Sequence, residues 1–248
     1  MDHLEHCAAL DVEAERFAAL LESAPAQAPV PTCPEWTVLE LAAHLGDVHR
    51  WAERLVHDRA QKYQSSDDMD LDRGPADATW MRAGARTLLD TLRSGDPDTA
   101  MWAWGADQHL RFWSRRQLHE TLVHRVDLEL AVGRTPSAEA EVAADAIDEL
   151  LVNLKRAQVF SPSVAELVGD GRVLSVTTTD VAATWSIRLV PEGFVILDES
   201  LASDAHLQGD ALEVLLVLYR RRPLAQSAVR SDGDRALIDF WLEHSALG

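Results

Sequence analysis

The stretch HETLVHRVDLELAVG, His119 to Gly133, decides how the chain reads. At about 100° per residue it continues a helix over 108–132 that carries Leu110, Trp113, Gln117, Thr121, His124, Leu128 and Ala131 on one stripe. Gly133, with Pro136 beyond it, stops that helix. Glu120 and Asp127 run along one edge of the stripe, and Glu120 stands one turn from His124 on the same side. A carboxylate turned inward without a partner is costly, so it must pair, take up a proton or bind a cation.

Upstream, residues 3–24 carry Leu4, Ala8, Val12, Phe17, Leu20 and Leu21 at helical spacing. APAQAPVPTCPEW then reads as a proline-rich connector. Thr37 and Glu40 have the Thr-x-x-Glu spacing of a capping box, which predicts a helix over 38–59. Its apolar stripe is Val38, Leu41, Leu45, Val48, Ala52 and Leu55, with His44 about 60° from the centre. A polar loop and a third helix over 77–94 follow. Four helices in 1–134 predict a bundle.

Beyond Pro136 the period changes. One more helix, SAEAEVAADAIDELLVNLKR, precedes three β-branched runs, RVLSVTTTD, ATWSIRLV and GFVILD, which read as an antiparallel meander. QGDALEVLLVLYRRRP reads as a helix ending before Pro223, and DGDRALIDFWLEHS as a closing helix. The expectation is an α+β chain with domains at 1–134 and 135–248.

Composition narrows the function. The net charge is -18, with 41 acidic against 23 basic residues, which argues against nucleic acid and anionic lipid as partners. Hydrophobic residues make up 47% of the chain, enough for a sizeable core. Two cysteines, Cys7 and Cys33, make no disulfide framework. The opening MDHLEHCAAL lacks the basic start of a signal peptide, and no uncharged apolar run reaches the ~18 residues of a membrane span. A cytoplasmic, soluble protein, monomeric or homodimeric, is the expectation.

His44, Glu120 and His124 together form a candidate metal set: two imidazoles, one carboxylate and an open fourth position make a catalytic zinc pattern, with Asp127 able to orient a ligand. A Glu–His pair at this spacing is also common on solvated faces. His49 and His57 fall toward the polar side of the second helix. His119 turns away from Glu120, and His3 and His6 lie near an end expected to fray. Cys33 reads as a small buried residue rather than a nucleophile.

VPTCPEWTVLELAAHLGDVHRWAERLV and HETLVHRVDLELAVGRTP resemble the mycothiol-dependent maleylpyruvate isomerase family, within the DinB-like metalloprotein superfamily. QGDALEVLLVLYRRRP and VRSDGDRALIDFW resemble that family's C-terminal domain, which is similar to sterol carrier proteins. The resemblance implies a DinB-like four-helix bundle followed by a smaller sterol-carrier-like α/β domain with an antiparallel sheet. It implies zinc, or another divalent ion such as Ni2+, on His44, Glu120 and His124, and mycothiol as cofactor. It assigns Arg221, among Arg220, Arg221 and Arg222, to a carboxylate of the substrate, although basic residues ending a helix also serve its macrodipole. The family often has glycine where this chain has Arg220.

The implied chemistry is addition of a thiolate to a conjugated double bond, rotation about the resulting single bond, and elimination to the trans product. A thiol transferase on another small electrophile fits the same residues. So does a metal-dependent hydrolase, or a binding protein whose second domain holds an apolar ligand.

Overall fold

A computed structural model of the chain describes residues 1–197 and 202–245. It divides into two compact units, Met1–Ser137 and Ala138–Gly248. Among the described residues, no helix is long and apolar enough to cross a membrane.

The first unit is a bundle of α1 (His3–Leu21), α2 (Val38–His57), α3 (Ala78–Ser94) and α4 (Leu110–Ala131). α1 packs on α3 and α4, and α2 packs on the same two helices. Phe17, Leu41, Leu45, Trp80, Met81 and Leu128 meet in the core between them. The capping signals act as the sequence indicates. Glu40 Oε2 accepts the Thr37 N–H at 2.7 Å and the Thr37 hydroxyl accepts the Glu40 N–H at 3.4 Å, so α2 starts at Val38. At the end of α4, Gly133 takes φ +72°, and the N–H groups of Gly133 and Arg134 bond the carbonyls of Leu130 and Glu129. That reciprocal closure is a Schellman motif, and its left-handed residue favours glycine.

Three expectations fail here. The first helix does not fray: Asp2 and Glu5 form a second capping box, and His6 is buried. The connector is not a bare loop. Pro29–Val30 (β1) and Cys33–Thr37 (β2) pair as a short antiparallel hairpin that leads straight into the cap of α2. His49 is fully buried rather than polar-facing, because α2 has a neighbour on two sides, and the arc it buries is wider than its apolar stripe.

The second unit holds α5 (Ala140–Asn153), α6 (Ala211–Leu218), α7 (Arg235–His244) and a five-stranded sheet. The strands are β3 (Val173–Thr178), β4 (Thr184–Val190), β5 (Gly193–Leu197), β6 (Ala205–Gly209) and β7 (Arg230–Gly233), in the order β5-β4-β3-β6-β7. β3, β4 and β5 are the expected meander, except that Asp198 lies outside the described residues. The sheet as a whole is mixed, because β6 joins β3 in parallel and β7 adds antiparallel to β6. Both extra strands are short, and Gln208–Gly209 had read as the start of the helix that begins at Ala211. The fold is α+β, a helical domain followed by a sheet domain.

The bundle contains a buried ion network. Arg125, fully buried on α4, donates to Glu13 on α1 and pairs with Glu129 one turn along α4. Removing one member of such a set strands a buried charge. Arg125→Met is expected to cost about 3–5 kcal/mol of stability in urea unfolding. A loss below ~1 kcal/mol would show that the network is not a structural link between α1 and α4.

Candidate metal centre

His44 projects from the second turn of α2, and Glu120 and His124 from successive turns of α4. Each offers one ligand atom, and the three atoms lie within 4.8 Å of one another. Glu120 Oε1 sits between the imidazoles, 3.4 Å from His44 Nε2 and 3.2 Å from His124 Nε2. A tetrahedral ion with bonds of 2.0–2.1 Å needs donor atoms about 3.3 Å apart, so the donor types and the two spacings made by Glu120 suit zinc.

The surroundings fix each donor. His124 Nδ1 lies 3.0 Å from Asp127 Oδ2 and donates to it, which turns Nε2 toward Glu120. Asp127 is fully buried and also accepts the Thr32 hydroxyl at 2.6 Å and, weakly, the Cys33 thiol at 3.9 Å. Thr32 and Cys33 come from the β1–β2 hairpin, so the hairpin is tied to the imidazole through one carboxylate. The Trp36 indole, on the same hairpin, stands 4.7 Å from the His44 ring and 6.0 Å from the His124 ring. Arg116, one turn before Glu120, donates to Glu120 Oε2 at 3.0 Å.

Electrostatics follows. Burial works to raise the Glu120 pKa, but His124, His44 and Arg116 overcome it and hold the carboxyl well below its ordinary range. Burial likewise opposes charge on His124, yet Glu120 and Asp127 lift it to about 9. Without an ion the centre is a carboxylate and an imidazolium.

The other candidates separate from this centre. His49 Nε2 meets the Thr121 hydroxyl at 2.8 Å, and burial drops its pKa to about 4, so it is a neutral core residue. His119 does turn from Glu120, but into the core beside His6 at 6.3 Å rather than into solvent. His3 bonds the Ser114 hydroxyl and the Leu92 carbonyl. His57 is exposed beside Asp58. Burial raises the Cys7 thiol to about 11. Cys33 is half-buried.

In the second unit, Arg222 pairs with Glu213, and Arg220 is exposed with φ +56°. Arg221 is half-buried, with its guanidinium 5.9 Å from the Tyr219 ring centroid and bonded to the Tyr219 carbonyl. The helix therefore engages Arg222 with its own carboxylate and leaves Arg221 differently placed.

Sequence reasoning missed Trp36, Thr32 and Arg116. Trp36 and Thr32 sit in a segment with no helical period, where only the hairpin pairing sets direction. Arg116 stands four residues before Glu120, the same spacing that linked Glu120 to His124, and that signal was available.

Residues 7–129 match the family described as the mycothiol maleylpyruvate isomerase N-terminal domain, and residues 141–240 the MDMPI C-terminal domain. No curated protein matches the chain. A crystal structure of the mycothiol-dependent maleylpyruvate isomerase superposes with a TM-score of 0.59 at 13% identity, covering 94% of this chain and 95% of that one. A histidine-to-alanine variant of that enzyme gives 0.58 at 12%, covering 92% and 93%. At such identities the structural likeness is one of fold, whereas the two family matches account for most of the sequence in the right order. The chain belongs to the mycothiol-dependent maleylpyruvate isomerase family.

Proposed function

We propose that this protein is a metal-dependent enzyme that uses mycothiol as nucleophile or cofactor, acting as an isomerase or S-transferase on a small electrophilic substrate. The observation that carries the reading is the convergence of His44 Nε2, Glu120 Oε1 and His124 Nε2 within 4.8 Å. Family membership supplies the thiol. In this reading the bundle, 1–134, carries the ion, and 135–248 is a sterol-carrier-like domain. A zinc or nickel ion held there would lower the pKa of a bound thiol and keep its sulfur in place.

The chain's own residues prepare for that role. Asp127 holds the Nδ1 proton of His124, so Nε2 is the nitrogen turned toward Glu120 and an incoming ion. Trp36 covers part of the two imidazole rings and limits water around them. In this proposal Arg221 meets a substrate carboxylate, where a guanidinium matches two oxygens at once.

Protein purified without an affinity tag is expected to hold about one zinc-like ion per chain by elemental analysis. His124→Ala should abolish it, and exposed His57→Ala should not. Content near zero that zinc or nickel does not restore rejects the site.

The pH dependence has a definite sign. The imidazolium of His124 cannot ligate, and its pKa is raised to about 9, so below that pH an entering ion must displace one proton. Apparent zinc affinity should rise about tenfold per pH unit and flatten near pH 9, Glu120 being ionised throughout. Asp127→Asn removes an anionic partner, so the plateau should begin at lower pH, with affinity about 10–100-fold weaker. An unchanged profile in that variant would show that Asp127 does not set the state of His124.

Cobalt substitution separates the chemistries. Adding mycothiol should produce an intense sulfur-to-metal charge-transfer band with release of a thiol proton, and glutathione should do so less well. If thiols leave the spectrum unchanged while an ester or amide is hydrolysed without them, the protein is a hydrolase. If neither occurs and an apolar ligand co-purifies, it is a binding protein.

A further inference from the structure

Glu120 presents its two oxygens to different partners. Oε1 faces both imidazoles, at 3.4 and 3.2 Å, while Oε2 accepts Arg116 Nη2 at 3.0 Å. Arg116 is not a wandering surface charge. Its side chain is 6% exposed, it leaves α4 one turn before Glu120, and its guanidinium stands 5.9 Å from the Trp104 ring centroid. The bond to Oε2 is charge-assisted and part-buried, a setting that strengthens it over a fully solvated pair.

That division of labour matters because a carboxylate can ligate through one oxygen or through both. Two histidines and a chelating glutamate supply four donor atoms and close the shell of a tetrahedral ion, whereas one glutamate oxygen leaves a position free. We propose that Arg116 is the positioning residue that holds Glu120 to ligation through Oε1 alone and so keeps one coordination position open. The inference rests on the metal reading of His44, Glu120 and His124. Drawing Oε2 onto the ion turns the carboxylate against the guanidinium and weakens that ion pair. Arg116 acts through Glu120, by its bond to Oε2. The same contact keeps the carboxylate in register with the two imidazoles.

The test uses the full chain loaded with cobalt or zinc. Wild-type protein should give the intense visible spectrum of a four-coordinate cobalt ion and, by X-ray absorption on the zinc form, four near scatterers. In Arg116→Met the freed Oε2 should chelate, so the visible absorbance falls about twofold as the ion becomes five-coordinate with its solvent ligand retained, or the solvent ligand is lost. The thiol-induced charge-transfer band should then need at least ~10-fold more thiol. Arg116→Gln carries the same expectation with a milder change to the buried site, and serves if Arg116→Met does not fold. Arg116→Lys, which restores a cationic donor one turn from Glu120, should return the wild-type spectrum. In a Glu120→Gln background, Arg116→Met should add nothing further. Metal-loaded Arg116→Met and Arg116→Gln with the wild-type spectrum and thiol dependence overturn the proposal. A change of the same size in the Glu120→Gln background does so too. Wild-type protein that binds no cobalt removes the metal reading itself, an outcome distinct from both.

Discussion

The Glu120 carboxylate is the constraint around which the first unit is arranged. It is an anion set where water is scarce, and its charge has to be met by groups fixed in place. Three meet it: Arg116 on one oxygen, and His44 and His124 on the other. Two of these come from α4 itself at i−4 and i+4, so a single helix turn in each direction supplies them. The third comes from α2, so the carboxylate also specifies how α2 lies on α4. The Thr37–Glu40 capping box then acquires a functional meaning. By fixing where α2 begins, it fixes which turn of α2 presents His44 to Glu120.

The same logic runs along the whole of α4. Ser114, Arg116, Gln117, His119, Thr121, His124, Arg125, Asp127 and Glu129 are all buried in it. A helix so polar on several sides would dissolve into water unless its neighbours completed its pairs. They do so in turn: α1 brings Glu13 to Arg125, α2 brings His49 to Thr121, and the hairpin brings Thr32 to Asp127. Buried ion pairs of this kind add little net stability over apolar packing, but they punish every wrong alignment. The apolar core around Leu41, Leu45 and Phe17 stabilises the bundle, while the polar pairs select its register.

This division explains what could be read from the sequence. Features that depend on spacing within one helix were legible: the inward turn of Glu120 and His124, the start of α2 at Val38, and the stop at Gly133. His44 was legible because its offset from the stripe was modest. His49 was not, because the stripe was drawn through Val48, while two-sided packing extends the buried arc past it. His6 was misjudged because it lies near an end expected to fray, whereas the Asp2–Glu5 capping box holds that end and α1 packed along α4 encloses it beside His119. The hairpin and the strands β6 and β7 are pairings between segments of two to five residues, too short to show a period. β6 gains its place from β3, where Ala205 and Leu207 lie opposite Leu174 and Val176, and no property of its own five residues encodes that.

The centre also has a direction. Side-chain exposure rises from 0% at Asp127 and 9% at His124 to 22% at Glu120 and 36% at His44. The dry end is held by a carboxylate with three partners, and its imidazole has one orientation. The more exposed end is held by the tilted packing of His44 on Trp36, 4.7 Å between ring centroids. The His44 side is therefore the side of approach where desolvation costs least and a side chain can yield. At the far side the orientation of the imidazole is already set, so rigidity and compliance stand at opposite ends of one cluster.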